Sequence, residues 1–220
     1  MKRSLFLSYT LLVVSFITIF IESCKKDDEN IIVSGTVVDP QSGNPISGAN
    51  VYLDGKILSS GIYNESYSEI ASAITDASGH FEINTTWQVV SSYRLRAFKY
   101  NYFDSQAIVA AESISKGATY STSLSLFPAS WVRLNINNVV GYADDEIQYK
   151  FTSTPQSCAD CCSNSFLIGS GNYHTAYKCR AVGNRYNKFY WTVRRNGVTN
   201  PFTDSVYCVA FDTATININY

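Results

Sequence analysis

Five cysteines crowd the C-terminal part of this 220-residue chain: Cys158, Cys161, Cys162, Cys179 and Cys208. Cys158-x-x-Cys161 is a spacing that zinc sites use, and His174 adds a further ligand type between Cys162 and Cys179. A structural zinc centre also wants a second close pair of ligands, and Cys179 and Cys208 are far apart in sequence. A redox C-x-x-C works at the start of a helix in a βαβ setting, and no such pattern surrounds these residues. Disulfides are therefore the expectation if the chain is exported. The expected pairing joins Cys179 to one of the 158–162 cluster and Cys208 to another, with one sulfur left over. No metal or other cofactor is expected.

Catalysis has little to work with. His80 falls in a turn and His174 follows the loop Gly169-Ser170-Gly171-Asn172, so both read as surface histidines. There is no H-E-x-x-H, G-x-S-x-G or glycine-rich phosphate loop. Asp144-Asp145-Glu146, close after Gly141, reads as a solvated turn without the spaced ligand series that calcium needs. Aromatic side chains are the better lead. Tyr63, Tyr67, Trp87 and Tyr102, with Tyr100 and Phe103, fall in or near loops, where rings can stack on sugars or peptides or else cap a core. Asp204-Ser205-Val206 and Asp212-Thr213-Ala214 resemble a short O-glycosylation motif of some exported Gram-negative proteins.

The address lies at the other end. Lys2 and Arg3 precede an apolar run from Leu5 to Ile21, the layout of a secretory signal. Ser23 then stands before Cys24, and the charged stretch Lys25-Lys26-Asp27-Asp28-Glu29 follows, which disfavours a membrane span. Ile21-Glu22-Ser23-Cys24 resembles the lipobox of bacterial lipoproteins, with Glu22 a departure from the usual small or apolar residue. The resemblance implies a signal peptide over 1–23 and a lipid on Cys24. The acidic stretch resembles an export tag of outer-face lipoproteins, implying an outer-membrane anchor and display on the cell surface. Removing 1–23 takes Lys2, Arg3 and Glu22 from 17 basic and 18 acidic residues, leaving a slight acidic excess. That balance argues against nucleic acid as a partner.

The elements that must position these residues are strands. Sixteen Tyr, twelve Phe and a single Met favour β structure, and the class is all-β. After a polar tether over 24–30, alternation begins at Ile31 and breaks in the turn Asp39-Pro40-Gln41-Ser42-Gly43-Asn44-Pro45. A strand over Ala49–Leu53 runs into Asp54-Gly55, which reads as a hairpin turn, and 59–70 reads as a loop. Tyr93, Leu95 and Ala97 alternate with Arg94, Arg96 and Phe98, and Thr119 to Phe127 alternates cleanly.

Gly35-x-Val37-x-Asp39, Gly43-x-Pro45-x-x-Gly48-Ala49-x-Val51 and Thr75-Asp76-x-x-Gly79-x-Phe81 together resemble the carboxypeptidase-regulatory-like domain. The resemblance covers 31–127 and implies a transthyretin-like β-sandwich, an accessory module without chemistry of its own. Pro128 marks a boundary. Beyond it, runs over 131–137, 147–152, 173–182, 188–195, 205–211 and 215–220, with Asn196-Gly197 as a turn, imply a second small β-sandwich-like domain over 129–220. The functional expectation is a lipid-anchored, non-enzymatic binding or scaffold protein. Its partners would be the membrane and a glycan, a peptide or an outer-membrane protein. The alternative is an extracytoplasmic hydrolase of glycans or peptides, marked by two carboxyls in one aromatic cleft.

Overall fold

The computed structural model describes residues 29–152 and 158–220. The regular secondary structure of the described residues is β strand apart from one 3-10 turn, Ala111–Ser113. The first half holds β1 (Asn30–Val38), β2 (Asn50–Ser59), β3 (Ile62–Tyr63), β4 (Ser68–Ile74), β5 (His80–Thr86), β6 (Val90–Phe98), β7 (Ser105–Ala110) and β8 (Thr119–Ser125). β1 is the centre of one sheet, antiparallel to β5 and parallel to β8. In the facing sheet β2 and β6 pair centrally, β7 extends β6, and β3 and β4 extend β2.

Period-two alternation builds the core between these sheets. Ile31, Val33, Val37, Leu53, Phe81, Ile83, Tyr93, Leu95 and Leu124 point inward and form one buried cluster. Gly35 sits where β1 runs beside β8, and a Cβ there would overlap the backbone carbonyl of Thr122. The close approach of the two strands therefore requires glycine.

The second half holds β9 (Ala129–Asn137), β10 (Glu146–Phe151), β11 (Leu167–Ser170), β12 (His174–Val182), β13 (Arg185–Arg195), β14 (Val198–Cys208) and β15 (Thr213–Asn219). Its sheets are β12-β9-β15 and β11-β10-β13-β14, closed over a second core that includes Val132, Leu134, Ile136, Ile147, Tyr149 and Phe189. This is the plan of the first half, strand for strand. β9 is antiparallel to β12 and parallel to β15, as β1 is to β5 and β8. β10 pairs with β11 and β13, and β13 with β14, as β2 pairs with β4 and β6, and β6 with β7. Among the described residues, β3 alone has no counterpart. The described chain is a tandem repeat of one sandwich topology.

Leu126-Phe127-Pro128 alone separates β8 from β9, and contacts cross this junction. Phe103 packs with Ala129 and Val182, Gly183 N donates to Pro128 O at 2.8 Å, and Asn184 Nδ2 donates to Asp39 at 3.1 Å. β1 runs toward the junction and β9 away from it. Asn30 and the Arg195–Val198 turn therefore lie at opposite ends.

Three sequence expectations about turns and loops need correction. Asp54-Gly55 is not a hairpin turn: β2 runs through it, paired with β4 and β6 on either side and bulged at Leu53/Asp54 and Gly55/Ile57. The turn comes later, at Ser60 and Gly61, with φ of 51° and 80°. The stretch 59–70 is accordingly not a plain loop but carries β3 and the start of β4. Asp145 is not solvated. Its carboxylate is buried and accepts from Arg195 Nε (2.9 Å) and Nη2 (2.7 Å) and from Asn138 Nδ2 (2.9 Å). The Arg195 hydrogen bonds lead in pulling its pKa down to about 2. Asn196-Gly197 does form the β13–β14 turn, with φ of 50° and 75°.

Candidate functional site

Since Leu53 and Leu95 point into the core, Tyr52, Arg94 and Arg96 stand on the outer face of the β2–β6 sheet. The β2 bulge places Asp54 beside them. Its Oδ2 accepts from Arg94 Nε at 2.8 Å and from Arg96 Nε at 2.6 Å, and Oδ1 accepts from Arg96 Nη2 at 2.9 Å. Only 1% of the Asp54 side chain is exposed although it faces away from the core, because the guanidiniums lie over it. Burial alone would raise its pKa, but the Arg96 and Arg94 hydrogen bonds outweigh it and hold the carboxyl below the usual range. Asp54 in turn raises the pKa of Arg96.

Tyrosine rings back the arginines. The Arg96 guanidinium lies 4.8 Å from the Tyr52 ring centre, and that of Arg94 lies 4.4 Å from Tyr67. Lys56 Nζ is also over Tyr67, at 5.2 Å, and the Tyr67 hydroxyl shares a 3.0 Å hydrogen bond with Ser92. Such contacts fix long side chains that would otherwise lose more rotamer freedom on binding. Arg96 and Tyr52 form one wall of a groove of about 440 Å³, completed by Phe98, Asp104, Ser105 and Gln106. Phe98 is 45% exposed. The groove thus joins two aromatic rings to an amide, a carboxylate and a preset guanidinium. That set can hold a ring with one apolar face and a polar rim. Among the lining residues the charged ones are Arg96 and Asp104, which balance.

The equivalent outer face of the second sandwich carries another aromatic group. Lys150 Nζ lies 4.4 Å over Phe166, Phe166 meets Tyr190 edge-on at 6.0 Å, and Tyr186 meets Tyr207 at 5.2 Å. A groove of about 640 Å³ runs there between Lys150, Phe166, Tyr190, Thr203 and Asp204.

The rings expected to contact ligand do not gather in one place. Tyr67 supports two cations, Tyr63 is exposed on β3, and Trp87 lies under Lys116 near the start of β1. Tyr102 sits at the junction against Phe211, and Phe103 is buried there rather than exposed in a loop. The groove residues Tyr52, Arg96, Phe98, Asp104 and Gln106 were not singled out by sequence. Alternation groups Arg94, Arg96 and Phe98, but only the β2–β6 register brings Tyr52 and Asp54 to them. Cys24 lies outside the described residues.

Cys162 pairs with Cys179, and Cys158 with Cys161. Cys208 is free and buried, which corrects the expectation that it pairs with the cluster. It lies on the inner face of β14, where burial pushes its thiol pKa up, while the 158–162 sulfurs are already consumed. Cys158, Asp160 and Cys161 bring their ligand atoms within 4.8 Å of one another, but the two sulfurs are bonded together. His80 is exposed, and the exposed His174 shares a 2.8 Å hydrogen bond with Asn172.

No protein-family profile matches this chain, and no curated protein does. Among solved structures, it is similar to the Bacillus anthracis TIE protein (12% identity over 87% of this chain, TM-score 0.34). It is also similar to a streptococcal ancillary pilin (12%, 89%, 0.32) and to the shaft pilin SpaA of Lactobacillus rhamnosus GG (8%, 87%, 0.30). The matched regions are 33%, 63% and 97% of those chains, so this chain spans a third of the first and under two thirds of the second. Likenesses this distant do not bear on function.

Proposed function

We propose that this is a surface-tethered, non-enzymatic lipoprotein that binds an uncharged glycan in the groove between Tyr52, Arg96, Phe98 and Gln106. The groove itself carries the reading: partly exposed rings, hydrogen-bonding groups at their edge and balanced charge suit a pyranose better than an ionic ligand. The lipid on Cys24, the outer-membrane anchor and surface display belong to the same proposal, supported by Lys2, Arg3, the apolar run and the charged stretch after Cys24. A tether of this kind keeps the groove at high effective concentration near membrane partners. The carboxypeptidase-regulatory-like reading of 31–127 fits as well. Gly35 and Gly79 of its motifs sit where a side chain would collide with backbone.

A hydrolase would need an acid and a second carboxylate working in one cleft. Asp54 lies beside the groove and is fully engaged by two arginines, and among the lining residues Asp104 is the single carboxylate. The test is an array of neutral glycans, acidic glycans and peptides probed with the full chain, followed by mass spectrometry of each bound compound. Retention of neutral glycans, uncleaved, is the expected outcome. Preference for peptides or acidic glycans, or release of cleaved product, would defeat the proposal.

A further inference from the structure

We propose that the Cys158–Cys161 disulfide is a thiol-exchange site, open to a small dithiol, and that opening it loosens the junction between the two sandwiches. The two disulfides of the second sandwich share neighbouring residues but differ in access. Cys162 and Cys179 are 2% and 1% exposed, inside the second core, whereas Cys158 and Cys161 are only partly buried. Exchange requires approach of a thiolate to sulfur, so access separates the reactive pair from the inert one.

The accessible pair is also tied to the junction. Cys158 and Cys161 pack against Phe103, Ala129 and Val182, which come from both sandwiches. Residues 160–162 run along the outer edge of β12, where Arg180 N donates to Asp160 O at 2.7 Å and Cys162 N to Arg180 O at 3.0 Å. The Arg180 side chain then crosses to the first sandwich. Its Nη2 donates to Tyr102 O at 2.8 Å, and its guanidinium lies 4.4 Å over the Phe103 ring. One residue thus connects the disulfide-closed turn to the neighbouring sandwich.

The chemistry balances with a dithiol as the two-electron reductant. Its thiolate attacks one sulfur of the pair, and the other leaves as a thiolate. The second reductant thiol resolves the mixed disulfide, so the reductant becomes a cyclic disulfide and Cys158 and Cys161 become thiols. Cys162–Cys179 remains closed and keeps the second core intact.

The test titrates the full chain with dithiothreitol, traps thiols with iodoacetamide for mass spectrometry, and follows amide hydrogen exchange. Cys158 and Cys161 are expected to label at reductant concentrations about tenfold or more below those needed for Cys162 and Cys179. Exchange should rise together at Phe103, Ala129 and Gly183, whose amides bond to Phe127, Asn101 and Pro128 at the junction. A Cys158→Ser/Cys161→Ser variant should show the same exchange pattern without reductant. Simultaneous labelling of all four cysteines would overturn the assignment of the site. Selective labelling with unchanged exchange at those three amides would overturn its link to the junction.

Discussion

Asp54→Ala removes the carboxylate on which two guanidiniums converge, and its cost can be worked from the geometry. Breaking a buried ion pair by deleting one partner costs about 3–5 kcal/mol when the remaining charge stays trapped. Here Arg94 and Arg96 retain 25% and 38% side-chain exposure, so both can turn toward water and recover solvation. The expected loss is therefore nearer about 1–2 kcal/mol, toward the exposed-pair range. That corresponds to a fall of about 2–8 °C in the melting temperature at this chain length. The sign of the pH dependence follows from the lowered pKa of Asp54. Its contribution is complete above the unfolded carboxylate value near about 4 and is lost as pH falls through the folded value. Urea unfolding of wild type and Asp54→Ala at pH 7, and again in steps below pH 4, should give curves that converge on acidification. Equal stability at pH 7, or a gap that persists undiminished in acid, would refute the claim that Asp54 is held ionised between the arginines.

Three further outcomes follow from the packing. Gly35→Ala forces a methyl group against the Thr122 carbonyl and should destabilise the first sandwich by about 3 kcal/mol, read as a lower urea midpoint. Cys162→Ser opens a covalent link across 17 residues in the second core and should cost about 3 kcal/mol, mapped by hydrogen exchange to β9 and β12. Cys208 should stay unlabelled by iodoacetamide at pH 8 in the folded chain and react on unfolding; rapid labelling of folded protein would contradict its burial.

Sequence reasoning reached the fold class because strand alternation is local. The run over 131–137 alternates without knowledge of any partner strand, and the structure buries the face that carries Val132, Leu134 and Ile136. The repeat was not legible in the same way. The two halves share strand order and direction while filling equivalent positions with different side chains, and strand pairing is non-local. Asp54-Gly55 misled for a related reason. The dipeptide matches a two-residue turn, but β4 and β6 flank β2 on both sides, and a bulge in a central strand uses the same residue types. Asp145 looked solvated because its partner Arg195 is 50 residues away. The groove suffered most. Tyr52, Arg96 and Gln106 come from β2, β6 and β7 and meet only through register, whereas loop position drew notice to Tyr63, Trp87 and Tyr102, which lie apart.

The central claim, that the first sandwich binds a neutral glycan on its outer sheet face, is tested most directly by locating a bound ligand. Titration of the isotope-labelled full chain with a neutral oligosaccharide retained on the array should move the resonances of Tyr52, Arg96, Phe98, Asp104 and Gln106. Phe98→Ala should abolish those movements while leaving the remaining spectrum in place. Shifts confined to Lys150, Phe166 and Tyr190, or undiminished shifts in the Phe98→Ala chain, would contradict the account.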